Sequence, residues 1–97
     1  MRIVYKILVR DGYERTFKKL ADDVLIPEAR RISGCQQFTL FQNTENRREF
    51  IFHELWQNHA DVIAYKQRLI AILGEPHPGE EFPAQMNDLI EEDEDIV

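Results

Sequence analysis

Residues 48–56, REFIFHELW, constrain the fold more than any other stretch of the chain. Successive side chains of a strand point to opposite faces. Phe50, Phe52, Glu54 and Trp56 therefore share one face, and Ile51, His53 and Leu55 share the other. Neither face suits water, so the strand belongs in a sheet covered on both sides. Straight after it the period changes. Asn58 is a good N-cap, and Asp61, three residues on, makes a variant of the capping box. Val62, Ile63, Leu69, Ile70 and Leu73 then recur as in an amphipathic helix until Gly74 ends the run.

The rest of the chain supplies partners for that strand. In RIVYKILVR, residues 2–10, Ile3, Tyr5, Ile7 and Val9 lie on one face and Val4, Lys6, Leu8 and Arg10 on the other. Asp11-Gly12 ends this strand. Tyr13, Phe17, Leu20 and Val24 then fall at helical intervals; Pro27 lacks an amide donor and kinks or restarts that helix, which Ser33-Gly34 closes. CQQFTLFQN reads as a second strand, joined to REFIFHELW by the polar hairpin loop NTENR. The segment EPHPGEEFPAQMNDLI admits two readings. One is a loop and a fourth strand near residues 85–90; the other is a short helix after Pro83 with Met86, Leu89 and Ile90 turned inward.

The order strand, helix, strand, strand, helix, strand predicts an α+β ferredoxin-like sandwich, with two helices on one face of an antiparallel sheet. The opposite face carries Val4, Leu8, Ile51 and Leu55. An apolar sheet face of this kind marks an interface, and two such faces packed together predict a symmetric homodimer.

With 97 residues the chain is read as one domain. Its core is expected over residues 2–73, followed by an acidic C-terminal segment, 74–97. Residues 1–73 hold all 12 Lys and Arg and nine of the 18 Asp and Glu; residues 74–97 hold the other nine acids and no Lys or Arg. That tail is read as a solvated end or as a segment that docks on basic groups. A nucleic-acid surface concentrates positive charge instead, so no nucleic-acid partner is expected. No run reaches the ~20 apolar residues of a membrane span, and the first ten residues do not read as a signal peptide. One cysteine, Cys35, gives no disulfide framework and no cysteine metal cage. His53, His59 and His77 form no i, i+4 pair, so no metal site is expected. These features lead us to expect a cytoplasmic protein.

GYERTFKKLADDVLIPEARRISGCQQFTLFQN followed by REFIFHELWQNHADVIAYK resembles the antibiotic biosynthesis monooxygenase domain. The shared marks are a Gly before the first helix, a Pro inside it, a Gly-Cys opening the second strand and Glu-x-Trp ending the third, and the likeness spans residues 2–73. It implies a dimeric α/β barrel with a pocket between sheet and helices in each subunit. It also implies chemistry such as cofactor-independent oxygenation of quinols and other aromatics. Trp56 stands at the family's strand-three tryptophan. Where polyketide-oxidising members place an Asn, this chain has Phe52, and where many carry a His it has Tyr65. At two positions that haem-degrading members need it has Tyr5 and Tyr65, so the resemblance does not extend to haem cleavage and no cofactor is expected.

A cofactor-free oxygenase needs a dry aromatic cavity and a base that takes a phenolic proton. Tyr5, Phe52, Trp56 and Tyr65 are the candidate walls, with Trp56 either wall or core. Glu54 is the candidate base, because burial would raise its pKa; the competing role is a structural ion pair. His59, just after the N-cap, is a second candidate base or a merely exposed residue. His53 belongs with the dimer face. The alternative function is a non-catalytic dimer of the same fold that binds a small ligand or a protein.

Overall fold

In a computed structural model describing residues 1–97, four strands are laid down in chain order as β1 (Arg2–Val9), β2 (Cys35–Gln42), β3 (Glu49–Trp56) and β4 (Ile90–Asp95). They form one sheet in the order β2-β3-β1-β4, with every pairing antiparallel. This is the ferredoxin-like α+β arrangement. The register sets Tyr5 opposite Phe52 and Ile3 opposite Glu54, so the inward faces expected for β1 and β3 coincide. Along β3 the alternation is complete: Phe50, Phe52, Glu54 and Trp56 are buried, and Ile51, His53 and Leu55 only partly so.

The first helical stretch takes an unusual course. It runs as α1 (Glu14–Leu20), a π-helical turn (Ala21–Leu25) and α2 (Ile26–Arg30). Within the π turn the Ile26 N–H donates to the Ala21 carbonyl, five residues back. In an α-helix the Pro27 ring would collide with the carbonyl of Asp23; widening the turn by one residue relieves that clash. The same widening explains the buried stripe. Phe17, Ala21, Leu25 and Ala29 recur every four residues, a step that overshoots an α-helical turn by about 0.4 residue. One wider turn keeps all four facing the sheet. Tyr13, expected on that stripe, is 49% exposed because it precedes the first helical turn.

The second long helix, α3 (His59–Leu73), begins as its capping box requires. The Asn58 side chain accepts from the Asp61 N–H at 3.2 Å, and the Asp61 carboxylate accepts from the Asn58 N–H at 3.3 Å. Gly34 abuts this cap: a Cβ there would run into the Asp61 carboxylate. Val62, Tyr65, Leu69 and Leu73 form the buried side of α3. Ile63, expected inward, is 44% exposed, since each helical residue turns by about 100° and Ile63 has rotated off the stripe.

Both readings of the C-terminal segment hold in part. A short helix, α4 (Ala84–Asn87), follows Pro83, and Met86 enters the core. The fourth strand starts only at Ile90, so it falls on the acidic run and not on residues 85–90. Residues 74–97 thus complete the sheet instead of trailing from it as a solvated end. Glu91 to Asp95 are exposed, and such charges on an edge strand discourage further pairing. Two of them meet the chain's own bases: Glu91 with Arg48 at 2.8 Å and Glu94 with Lys6 at 3.5 Å.

All the helices cover the inner face of the sheet, where 16 buried apolar residues form one cluster. The outer face carries Val4, Leu8, Ile51 and Leu55, each partly exposed, and Phe41 at 54% exposure. No helix is long and apolar enough to cross a membrane.

Candidate functional site

Only one charged side chain enters the buried core: Glu54, 4% exposed. Strand alternation puts it there, between Phe52 and Trp56. The Trp56 indole N–H donates to Glu54 Oε1 at 2.8 Å, a charge-assisted bond in dry surroundings. Burial is the largest influence on this carboxyl and raises its pKa above the ordinary 4.5. The Trp56 indole, the Tyr5 hydroxyl and the Lys66 ammonium oppose that rise. A carboxylate so placed gains proton affinity while remaining able to ionise, which is what a general base requires.

Glu54 borders a cavity of about 150 Å³. Ile3 and Tyr5 of β1 lie beside it on the sheet. From α3 come Val62, Tyr65, Lys66 and Leu69, the i, i+3, i+4, i+7 stripe of the helix. Ile70 of α3 and, from the C-terminal segment, Glu81, Phe82, Pro83, Met86 and Asp95 supply the rest. Asp95 reaches the site because β4 pairs with β1 in a register that sets it opposite Tyr5. The lining is mostly apolar, with four charged groups, Glu54, Lys66, Glu81 and Asp95.

The two cavity tyrosines differ in what holds them. The Tyr65 hydroxyl donates to the Leu25 carbonyl at 2.9 Å, tying α3 to the π turn, and burial followed by the nearby Glu54 charge pushes its pKa far up. The Tyr5 ring stacks on Phe52, centroids 4.7 Å apart, and meets Phe82 in a tilted contact at 5.9 Å. Burial, then Glu54, holds the Tyr5 phenol well above its ordinary range. Both are therefore neutral walls at physiological pH, and Glu54 is the carboxyl of the cavity whose pKa burial raises.

Of the six residues expected at the site, Tyr5, Glu54 and Tyr65 line the cavity. Phe52 does not, because it lies under the Tyr5 ring. Trp56 does not either. It is wholly buried, packed against Tyr65 at 5.3 Å and Phe38 at 6.4 Å, and touches the site only through its bond to Glu54. His59 is exposed in the first turn of α3, three residues before the lining begins at Val62, and stays outside the cavity. The sequence reading missed Lys66, Phe82, Met86, Glu81 and Asp95. Lys66 carried a signal, since it lies one turn after Val62, at the exposed edge of the buried stripe. Asp95 and Phe82 carried none, because their places follow from the course of the C-terminal segment.

A ferredoxin-like domain with a closed inner face and one cavity ending at a buried carboxylate defines the structural class. The sequence profile of the antibiotic biosynthesis monooxygenase family matches residues 1–70, and the chain belongs to that family. Comparison with curated proteins gives no match. Several solved structures share the fold. One, from Nitrosomonas europaea and provisionally assigned to the same family, superposes with a TM-score of 0.76 at 16% identity, covering 98% of this chain and 84% of its own. PA3566 from Pseudomonas aeruginosa gives 0.73 at 18% identity over 96% and 85%. A conserved protein from Methanosarcina mazei gives 0.70 at 23% identity over 96% and 84%. At these identities the likeness is one of fold.

Proposed function

We propose that this protein is a cofactor-independent oxygenase of a small quinol or related phenol, with Glu54 as the base and Tyr5 and Tyr65 as ring-holding walls. The observation that carries the reading is the buried Glu54 carboxyl at an apolar cavity, its pKa raised by burial. Glu54 takes the hydroxyl proton of the bound ring. The resulting anion is electron-rich and passes an electron to dioxygen beside the apolar walls of the cavity. A quinol supplies every electron needed: hydroquinone and dioxygen give hydroxyquinone and water, one oxygen atom going to each product. Lys66 is the one cationic group of the lining and offsets the charge that develops beside Glu54.

The active form in this reading is a homodimer packed through the outer sheet face, with Val4, Leu8, Ile51, Leu55 and Phe41 at its centre. Their partial exposure on one face of the sheet supports it. Oxygen uptake with hydroquinone tests the chemistry: wild-type protein consumes oxygen, and Glu54→Gln does not. A second reading, a binding module without turnover, is favoured by the exposure of His59, which leaves Glu54 as the only candidate base. It is recognised by ligand-induced stabilisation in the absence of oxygen uptake.

A further inference from the structure

We infer that the cavity selects its ligand by charge and by ring number: it accepts neutral or cationic single-ring phenols and rejects anionic ones. The inference rests on the proposed phenol-binding role of the same site and adds the class of ligand.

Size gives the first half. The cavity is about 150 Å³, and an apolar cavity of that volume holds one benzene ring. A second fused ring would have to stand in solvent.

Charge gives the second half. Three carboxyl groups, Glu54, Glu81 and Asp95, border the cavity against a single ammonium, Lys66. Lys66 is already turned to account, because its charge acts on Glu54. Asp95 also acts inward: its charge is felt at the Tyr5 hydroxyl. The strand that delivers Asp95 deepens the field. Of its five consecutive acids, only Glu91 and Glu94 meet a base, through Arg48 and Lys6. Asp93 and Asp95 have no ion-pair partner and lie on the cavity side of the sheet, opposite Ile7 and Tyr5. A carboxylate on the ligand would therefore meet like charge at the mouth, while an ammonium would find unpaired acceptors in Glu81 and Asp95. Because these groups are solvent-exposed, the preference must weaken as salt is added.

Three ligands of one shape isolate the effect: para-hydroxybenzylamine, para-hydroxybenzyl alcohol and para-hydroxybenzoate, titrated calorimetrically at pH 7.5 in low and high salt. The amine should bind roughly tenfold more tightly than the benzoate at low salt, with the alcohol between them, as two exposed carboxylates a few ångströms away would give. The gap should narrow at high salt. Asp95→Asn combined with Glu81→Gln should close most of it. Glu92→Gln, the same charge change on the outer face of the same strand opposite Leu8, should leave it open. Equal binding of all three ligands overturns the inference and leaves the phenol site standing, as does an equal effect of Glu92→Gln, which would mean net charge rather than the mouth. A two-ring naphthol binding as tightly as the alcohol overturns the size half. Binding of none of them overturns the phenol-site reading itself, and this inference with it.

Discussion

Replacing Glu54 by Gln should make the protein more stable at alkaline pH while removing its chemistry. The side chain keeps its shape, and the amide oxygen can still accept from the Trp56 indole. What disappears is a buried negative charge. Burial raises the Glu54 pKa above the 4.5 of an exposed carboxyl, so between those two values the folded protein holds a proton that the unfolded chain has lost. Over that interval stability falls as pH rises; below 4.5 the carboxyl is neutral in both states and contributes nothing. Above the folded value the deficit is constant. Each tenfold displacement of the ionisation equilibrium corresponds to about 1.4 kcal/mol, and in a domain of this size 1 kcal/mol moves Tm by about 4–8 °C.

Calorimetric melting of both proteins from pH 4 to pH 8 is the assay. The Glu54→Gln protein should melt above wild type at pH 8, with the gap closing by pH 4, while oxygen uptake is lost throughout. A gain in stability coupled to a loss of activity is the pattern of a residue kept for function. If Glu54→Gln instead melted several degrees lower at pH 8 and equal at pH 4, the reasoning would be refuted. Trp56, Tyr5 and Lys66 would then hold the carboxylate more strongly than burial penalises it, and Glu54 would be a structural anion.

Trp56→Phe should lower stability by about 2–4 kcal/mol at pH 8, from a lost donor to a buried charge plus a small void, and by less at pH 4; urea unfolding at the two values measures this. Lys66→Met should move the acidic limb of the activity profile to higher pH, since it removes a charge that favours ionised Glu54; an unmoved limb would separate Lys66 from the base. Leu8→Asp should convert a dimer into monomer or aggregate, because an unpaired charge in an apolar interface costs several kcal/mol; wild-type protein sedimenting only as an 11.5 kDa species at micromolar concentration would end the dimer proposal. Gly34→Ala should cost about 1–2 kcal/mol by displacing Asp61 from its cap, and much less in an Asp61→Ala background, a non-additivity that a double-mutant cycle reads directly.

What could be read in advance depended on how local its cause was. The period-two run of β3 and the cap at Asn58 are written in neighbouring residues, so strand faces and helix start were legible. The Pro27 distortion was legible as a place but not as a form, because a π turn answers both the proline and the four-residue stripe that must still face the sheet. The acidic run from Glu91 to Asp95 misleads by composition. Nothing in its side chains asks for a strand; backbone pairing with β1, burial of Ile90 and two ion pairs to distant bases put it there. The site divides in the same way. Tyr5 and Glu54 follow from alternation and Tyr65 from the family resemblance, whereas Phe82 and Asp95 depend on long-range closure.

Trp56 shows why a correct residue can carry the wrong role. Its position at the end of β3, beside a base candidate, fits a ring-holding wall, and only packing decides otherwise. Alternation places Trp56 and Glu54 on the same face, two residues apart, which is also the spacing that lets an indole N–H reach a neighbouring carboxylate. Wholly buried and packed against the Tyr65 ring, the indole does not line the cavity, but it supplies a hydrogen bond that makes an ionised Glu54 more tolerable in an apolar core. Without that donor, burial would raise the carboxyl's pKa further, with only the Tyr5 hydroxyl and the Lys66 ammonium left to oppose it. The tryptophan thus sets how basic the site is without touching what it binds. Substitution there should act on pH dependence and stability before it acts on affinity for neutral ligands.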